Sequence, residues 1–190
     1  MATAADVHKK RVKPEDRAMS LLRVEGLAID VAQDGVRRRL VHGATLEVAS
    51  GETLAVVGES GSGKSLTALA VMGLLPDALS VAGGRIAFEG EDLLAAGPER
   101  MRALRGDRIA MVFQEPMTSL NPVRSIGAQL TEGVRLKRGL SRKAAETRAA
   151  DLLAEVGVSD PERRLRQYPH QFSGGMRQRV MIAMALACEP

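Results

Sequence analysis

Residues Gly58 to Ser65 read GESGSGKS and fill the pattern GxxxxGKS without a mismatch; no other stretch constrains the fold of this chain as tightly. Glycines at Gly58, Gly61 and Gly63 open backbone conformations closed to other residues, so that successive N–H groups can turn inward around a phosphate. In such a loop Lys64 reaches the β- and γ-phosphates as a point charge, and the Ser65 hydroxyl is placed to ligate Mg²⁺. Glu59, Ser60 and Ser62 complete the candidate nucleotide-binding run. The flanks agree. Thr53 to Val57 (TLAVV) reads as a short buried parallel strand, and Ser65 to Leu75 as an apolar helix that stops before Pro76. The start of that helix would add its free N–H groups and partial positive charge to the phosphate site. A Gly/Ser turn that matched by chance would need neither flank.

A chain of 190 residues is long enough for one domain with a real core, or one domain plus a small insertion. The net charge of +4 is modest. Part of it sits at the start, where Lys9, Lys10, Arg11, Lys13 and Arg17 face Asp6, Glu15 and Asp16. That stretch, residues 1–18, reads as a solvated, disordered arm rather than a nucleic-acid grip, with Met19 as the natural start. The single cysteine, Cys188, lies in an apolar helical run and reads as a small buried hydrophobe, which leaves no disulfide framework and no metal cluster. No run of about 18 apolar residues exists, so any membrane role must come through a partner.

Along the chain, residues 21–57 look like strands separated by turns, with charged turns at Gln33 to Arg39 and at Ser50-Gly51-Glu52. A strand follows at Arg85 to Glu89, then a short helix from Pro98 to near Gly106, then a strand at Arg108 to Phe113. Residues 115–170 are patterned as helices. The clearest runs from Ser141 to Val156, with Ala145, Ala149, Leu152, Leu153 and Val156 on one face, Ser141 as its cap and Gly157 at its end. Asp160-Pro161 opens a further short helix that cannot pass Pro169.

Two more phrases turn a generic phosphate loop into a family resemblance: VFQEPMTSLNP at Val112 to Pro122 and YPHQFSGGMRQRV at Tyr168 to Val180. In their order and spacing after GESGSGKS they resemble the nucleotide-binding subunits of ATP-binding cassette (ABC) transporters, specifically the oligopeptide, dipeptide and nickel importer group, over residues 19–190. The resemblance implies an α/β P-loop NTPase fold of ABC type, a mixed sheet core with a helical subdomain at about 115–170. It makes Gln114 the Q-loop glutamine, which touches Mg²⁺ or the attacking water; an amide offers a donor and an acceptor from one group. Ser173, Gly174, Gly175 and Met176 become the signature, FSGGM here for the commoner LSGGQ, presented at a helix start to the ATP of a second subunit. The Ser-Gly-Gly cap of a helix is compatible with that role. ATP and Mg²⁺ are the implied cofactors. A second nucleotide-binding domain, identical or paralogous, two membrane-spanning permease subunits and, indirectly, a substrate-binding protein are the implied partners, with no nucleic acid. The implied location is peripheral, on the cytoplasmic face of the inner membrane.

The chain departs from the family pattern in two places. No aromatic residue precedes Phe88 to stack on adenine, so Arg37, Arg38 or Arg39 are candidates for stacking a guanidinium on the base, against the simpler reading of an exposed charged turn. The strand ending in Asp-Glu that the family places after the signature helix, and the later switch histidine, are not found before Pro190; His8, His42 and His170 are poor stand-ins. Phosphoryl transfer rests on positioning and electrostatics around Mg²⁺ and water, so these 190 residues are expected not to turn over ATP at a family-like rate. The resemblance also implies that the strand Thr53 to Val57 takes its sheet neighbours from beyond Pro190, so the 190 residues alone are expected not to fold as a stable monomer. An engineered truncation, a disrupted reading frame or an incomplete record would each account for that. The leading function is the energy-coupling subunit of a peptide-type importer. A non-catalytic ATP-binding or interaction module is the alternative, and an ABC-type ATPase of DNA repair would need coiled-coil or zinc-bearing insertions.

Overall fold

The computed structural model describes residues 20–33, 35–114 and 119–190. The arm at residues 1–18, Met19 and residues 115–118 of the QEPMTSLNP phrase lie outside the described residues. The chain divides into two compact units, one up to Met101 and one from Arg102.

In the first unit, β1 (Ser20–Gln33) and β2 (Val36–Ala49) form a long antiparallel hairpin, closed at the Gln33 and Val36 pair. Strand β3 (Leu79–Phe88) pairs antiparallel on the other side of β1, and the two-residue β4 (Glu91–Asp92) extends it, giving the order β2-β1-β3-β4. The alternation of β1 slips at Gly26, which holds φ +58°: two residues between Val24 and Leu27 (Glu25 and Gly26) oppose one, Thr45, between Leu46 and Ala44. The extra residue resets the period of two, so that Val24 before it and Leu27 and Ile29 after it are all fully buried. Across this bulge the backbones come too close for a side chain. A methyl on Gly84 would stand 2.6 Å from the Gly26 carbonyl oxygen. Helix α1 (Lys64–Val71) follows the glycine loop and buries Thr67, Ala70 and Val71. The helix expected to run to Leu75 ends earlier, in a turn at Met72 and Gly73, where Gly73 takes φ +60°.

Two expected strands do not form. Thr53 to Val57 is in no strand and has no ladder partner among the described residues, and Leu54, Val56 and Val57 are 39%, 48% and 77% exposed. Arg108 to Phe113 contributes a single parallel bridge, Ile109 to Arg105, and leaves Val112 and Phe113 exposed. An apolar β-prone run becomes a strand only when neighbours take its N–H and C=O groups, and the sheet present is built from the antiparallel pairs β1–β2, β1–β3 and β3–β4.

Helix α2 (Pro98–Leu104) spans the division between the units. The second unit packs α3 (Ile126–Arg138), α4 (Arg142–Glu155), α5 (Pro161–Leu165), a 3₁₀ turn (Pro169–Gln171) and α6 (Gly174–Leu186) around Ile126, Leu130, Leu152, Leu153 and Val180, each at most 1% exposed. The caps read from sequence are in place. Ser141 accepts from the Ala144 N–H at 3.3 Å, Gly157 ends α4 at φ +75°, and Ala145, Ala149, Leu152 and Leu153 form the buried face. Ser125 caps α3 in the same way, at 3.2 Å from the Ala128 N–H. Gln129, buried within α3, accepts from the Asn121 N–H and donates to the Asn121 and Arg124 carbonyls, so one amide pins the loop after residue 118 onto this helix.

Candidate functional site

Residues Gly58 to Ser65 are brought together as one loop entering α1. Gly61 and Gly63 take φ +81° and +91°, left-handed values that favour glycine, and Gly63 is the cap residue of the helix. A glycine cap has no side chain to offer, so the N–H groups of the first turn have no side-chain acceptor. Thr67 closes the first turn instead, its N–H and hydroxyl both donating to the Gly63 carbonyl, at 2.8 and 3.0 Å. The Lys64 ammonium folds back into the loop and donates to the Gly58 and Glu59 carbonyls, each at 2.8 Å, and to Ser62 Oγ at 3.2 Å. These bonds hold one positive charge inside the loop. Ser65, on the exposed side of the same turn, keeps its hydroxyl accessible. Open first-turn N–H groups, a helix N-terminus, a cation and an exposed hydroxyl are the donor set that a polyphosphate with its metal requires, so the residues present fit that ligand.

The signature residues lie in the second unit. Ser173 is the cap of α6, its Oγ accepting from the Met176 N–H at 3.4 Å, while Gly174 and Gly175 are exposed and a methyl on either would meet nothing within 4 Å. Met176 turns inward and packs on the helical core. The approach to the turn is held by other side chains. Phe172 is buried under the Arg164 guanidinium, 5.6 Å from the ring centroid, and Arg177 donates to the Pro169 carbonyl at 2.8 Å. His170 stacks on Tyr168 at 5.9 Å, beside the signature. Gln114, also in the second unit, sits at an exposed bend after Phe113.

Of the three arginines considered for adenine, Arg39 is committed elsewhere: its Nε lies 2.5 Å from Asp30 Oδ1 across the hairpin, and that bond holds the Asp30 carboxyl below the usual carboxylate range. Arg37 and Arg38 are exposed on β2. Cys188 is buried, and burial pushes its thiol up, away from a reactive thiolate. Among the described residues no cluster of three His, Cys, Asp or Glu side chains is placed to hold a metal, and no helix is long and apolar enough to cross a membrane. A groove of about 1160 Å³, lined by α3, α4 and α5, contains none of the residues singled out from sequence.

Two contacts in the second unit had no local signal. Gln129 looks like any polar helix residue until its loop is seen, and Arg179 of α6 donates to the Val156 and Gly157 carbonyls, 22 and more residues away.

The family model described as ABC transporter matches residues 41–190. The probable peptide ABC transporter ATP-binding protein y4tR of Sinorhizobium fredii is 47% identical over 95% of this chain and 54% of its own length. The dipeptide transport ATP-binding protein DppD of Bacillus subtilis is 47% identical over 90% of this chain and 51% of that protein, and the oligopeptide transport ATP-binding protein OppD of the same organism 48% over 92% and 49%. The chain thus spans about half the length of these relatives. Among solved structures, the dimeric ATP-binding cassette MJ0796 bound to ADP and Pi superposes with a TM-score of 0.79 at 24% identity, over 89% of this chain and 70% of that one, which shows the fold. An ATP-binding subunit of an ABC transporter superposes with a TM-score of 0.67 at 30% identity, over 90% and 63%. The glycine loop before α1 and the capped turn before α6 therefore sit on an ABC-type P-loop NTPase fold, and the chain belongs to the ABC transporter family.

Proposed function

We propose that this chain is the nucleotide-binding part of an energy-coupling subunit of a peptide-type importer. The observation that carries the reading is the Gly58 to Ser65 loop, where Lys64 is held inward by three loop oxygens beneath an uncapped helix start. Its relatives are named for peptide, dipeptide and oligopeptide transport, which supports the substrate class.

ATP with Mg²⁺, when bound, supplies the phosphoanhydride whose binding and cleavage would drive transport. The chain's own residues bind and orient it. The first-turn N–H groups of α1 and Lys64 neutralise phosphate charge, and Ser65 is the candidate metal ligand on this chain. Gln114 is the candidate second group at the metal or water. Ser173, Gly174, Gly175 and Met176 would meet the nucleotide of a second nucleotide-binding domain, with the α6 N-terminus aimed at its phosphates. Residues 115–170 would form the subdomain that docks on two membrane-spanning subunits at the cytoplasmic face.

The test is uptake of labelled di- and oligopeptides by a strain deleted for the full-length gene. Complementation by the wild-type gene but not by Lys64→Ala is expected. Unchanged peptide uptake in the deletion strain, or full rescue by Lys64→Ala, would remove the reading.

A further inference from the structure

We propose that Arg179 is a positioning residue for the signature turn, fixing where Ser173 to Met176 stand by tying α6 to the C-terminal end of α4. The proposal rests on the reading that this turn meets the nucleotide of a second subunit. Gly174 and Gly175 are exposed and a side chain on either would meet nothing, so these two residues do not fix the turn; Met176 on the core and Arg177 on the Pro169 carbonyl hold one side of it. Its aim is inherited from the helix it opens. The inner face of that helix is anchored in the core at Val180 and Ala183, both fully buried, and a further tie, to the end of α4, is made from its exposed side.

Arg179 makes that tie. Its Nη1 donates to the Val156 carbonyl at 3.0 Å and to the Gly157 carbonyl at 2.7 Å. Carbonyls at a helix C-terminus lack helical partners and carry partial negative charge, so a cation there is held by geometry and by charge together. Gly157 is shaped for the contact: it takes φ +75°, and a methyl on it would fall on Arg179 Nη1. Both bonds leave the one nitrogen Nη1, so a single cationic donor joins the two carbonyls and ties α6 to the end of α4. Any displacement of the α4 end would thus be passed to the signature turn.

The experiment uses the full-length protein, with Arg179→Ala, Arg179→Lys, Gly157→Ala, the double variant Arg179→Ala/Gly157→Ala, and Ser173→Ala. MgATP affinity is read by calorimetry, ATP-driven association by sedimentation, and the melting midpoint by calorimetric scan. Arg179→Ala is expected to keep the wild-type MgATP affinity and to weaken ATP-driven association by about tenfold to a hundredfold, the scale on which small misplacements act. Arg179→Lys should recover much of that loss. Gly157→Ala should mimic Arg179→Ala, with the double variant no worse than either single one, because both break the same contact. Wild-type association in Arg179→Ala, with association lost in Ser173→Ala, overturns the positioning role and leaves the signature reading standing. Wild-type association in Ser173→Ala removes the signature reading and this proposal with it. A loss in Arg179→Ala that follows the melting midpoint and is not recovered by Arg179→Lys marks an ordinary structural contact and also overturns the proposal.

Discussion

A methyl group on Gly63 would stand 2.8 Å from Cγ2 of Val41, and Gly63 itself holds φ +91°. The residue before Lys64 is therefore glycine for two separate reasons, one conformational and one steric. Val41 is buried and β-branched, so it cannot swing away cheaply. Gly63→Ala should cost about 1 to 3 kcal/mol of stability through the left-handed backbone alone. It should also weaken MgATP binding by about tenfold, equivalent to about 1.4 kcal/mol, as the first turn of α1 shifts. Thermal melts and calorimetric titration of the same variant check both; wild-type values in each would show that the loop tolerates a side chain here.

The run Thr53 to Val57 is exposed and unpaired among the described residues, whereas Leu27 and Ile29 on β1 are fully buried within the sheet. Amide hydrogen exchange should find residues 53–57 far less protected than residues 27–29 wherever the first unit is folded. Exposed Leu54, Val56 and Val57 should also bind ANS. Slow exchange across 53–57 would mean that this segment has strand partners after all.

The hairpin carries a pH signature at Asp30. Its carboxyl accepts from Arg39, and that hydrogen bond, aided by the positive charge, holds it below the usual carboxylate range. A carboxyl depressed in the folded state binds fewer protons there than in the unfolded chain, so its stabilisation is full above the unfolded value and is lost as pH falls through the folded one. Wild type should melt above Asp30→Asn near neutral pH, and the gap should close under acid conditions. A gap independent of pH would assign the effect to packing.

Local elements were legible because their signals are local. Ser141 and Gly157 bracket α4, and the glycines of GESGSGKS anticipate the left-handed residues at Gly61 and Gly63, whereas the charged turn expected over Gln33 to Arg39 is short, with Val36 to Arg39 already paired in β2. The signature turn was visible as a capped helix start, and Ser173 is that cap. Partners distant in sequence were not legible. TLAVV has the composition of a buried strand, but composition names no neighbour, and without one the run stays unpaired and exposed. The bulge at Gly26 and the pairing of Arg179 with the end of α4 likewise depend on residues that no short window contains.

In the proposed function Lys64, held by the Gly58 and Glu59 carbonyls and Ser62 Oγ, carries triphosphate binding. Calorimetric titration of MgATP into folded wild-type protein and into Lys64→Ala, with matched circular dichroism spectra, measures that role. A saturable heat is expected in wild type and loss of most of the affinity in the variant. Equal affinity in the two would remove Lys64 from the binding site.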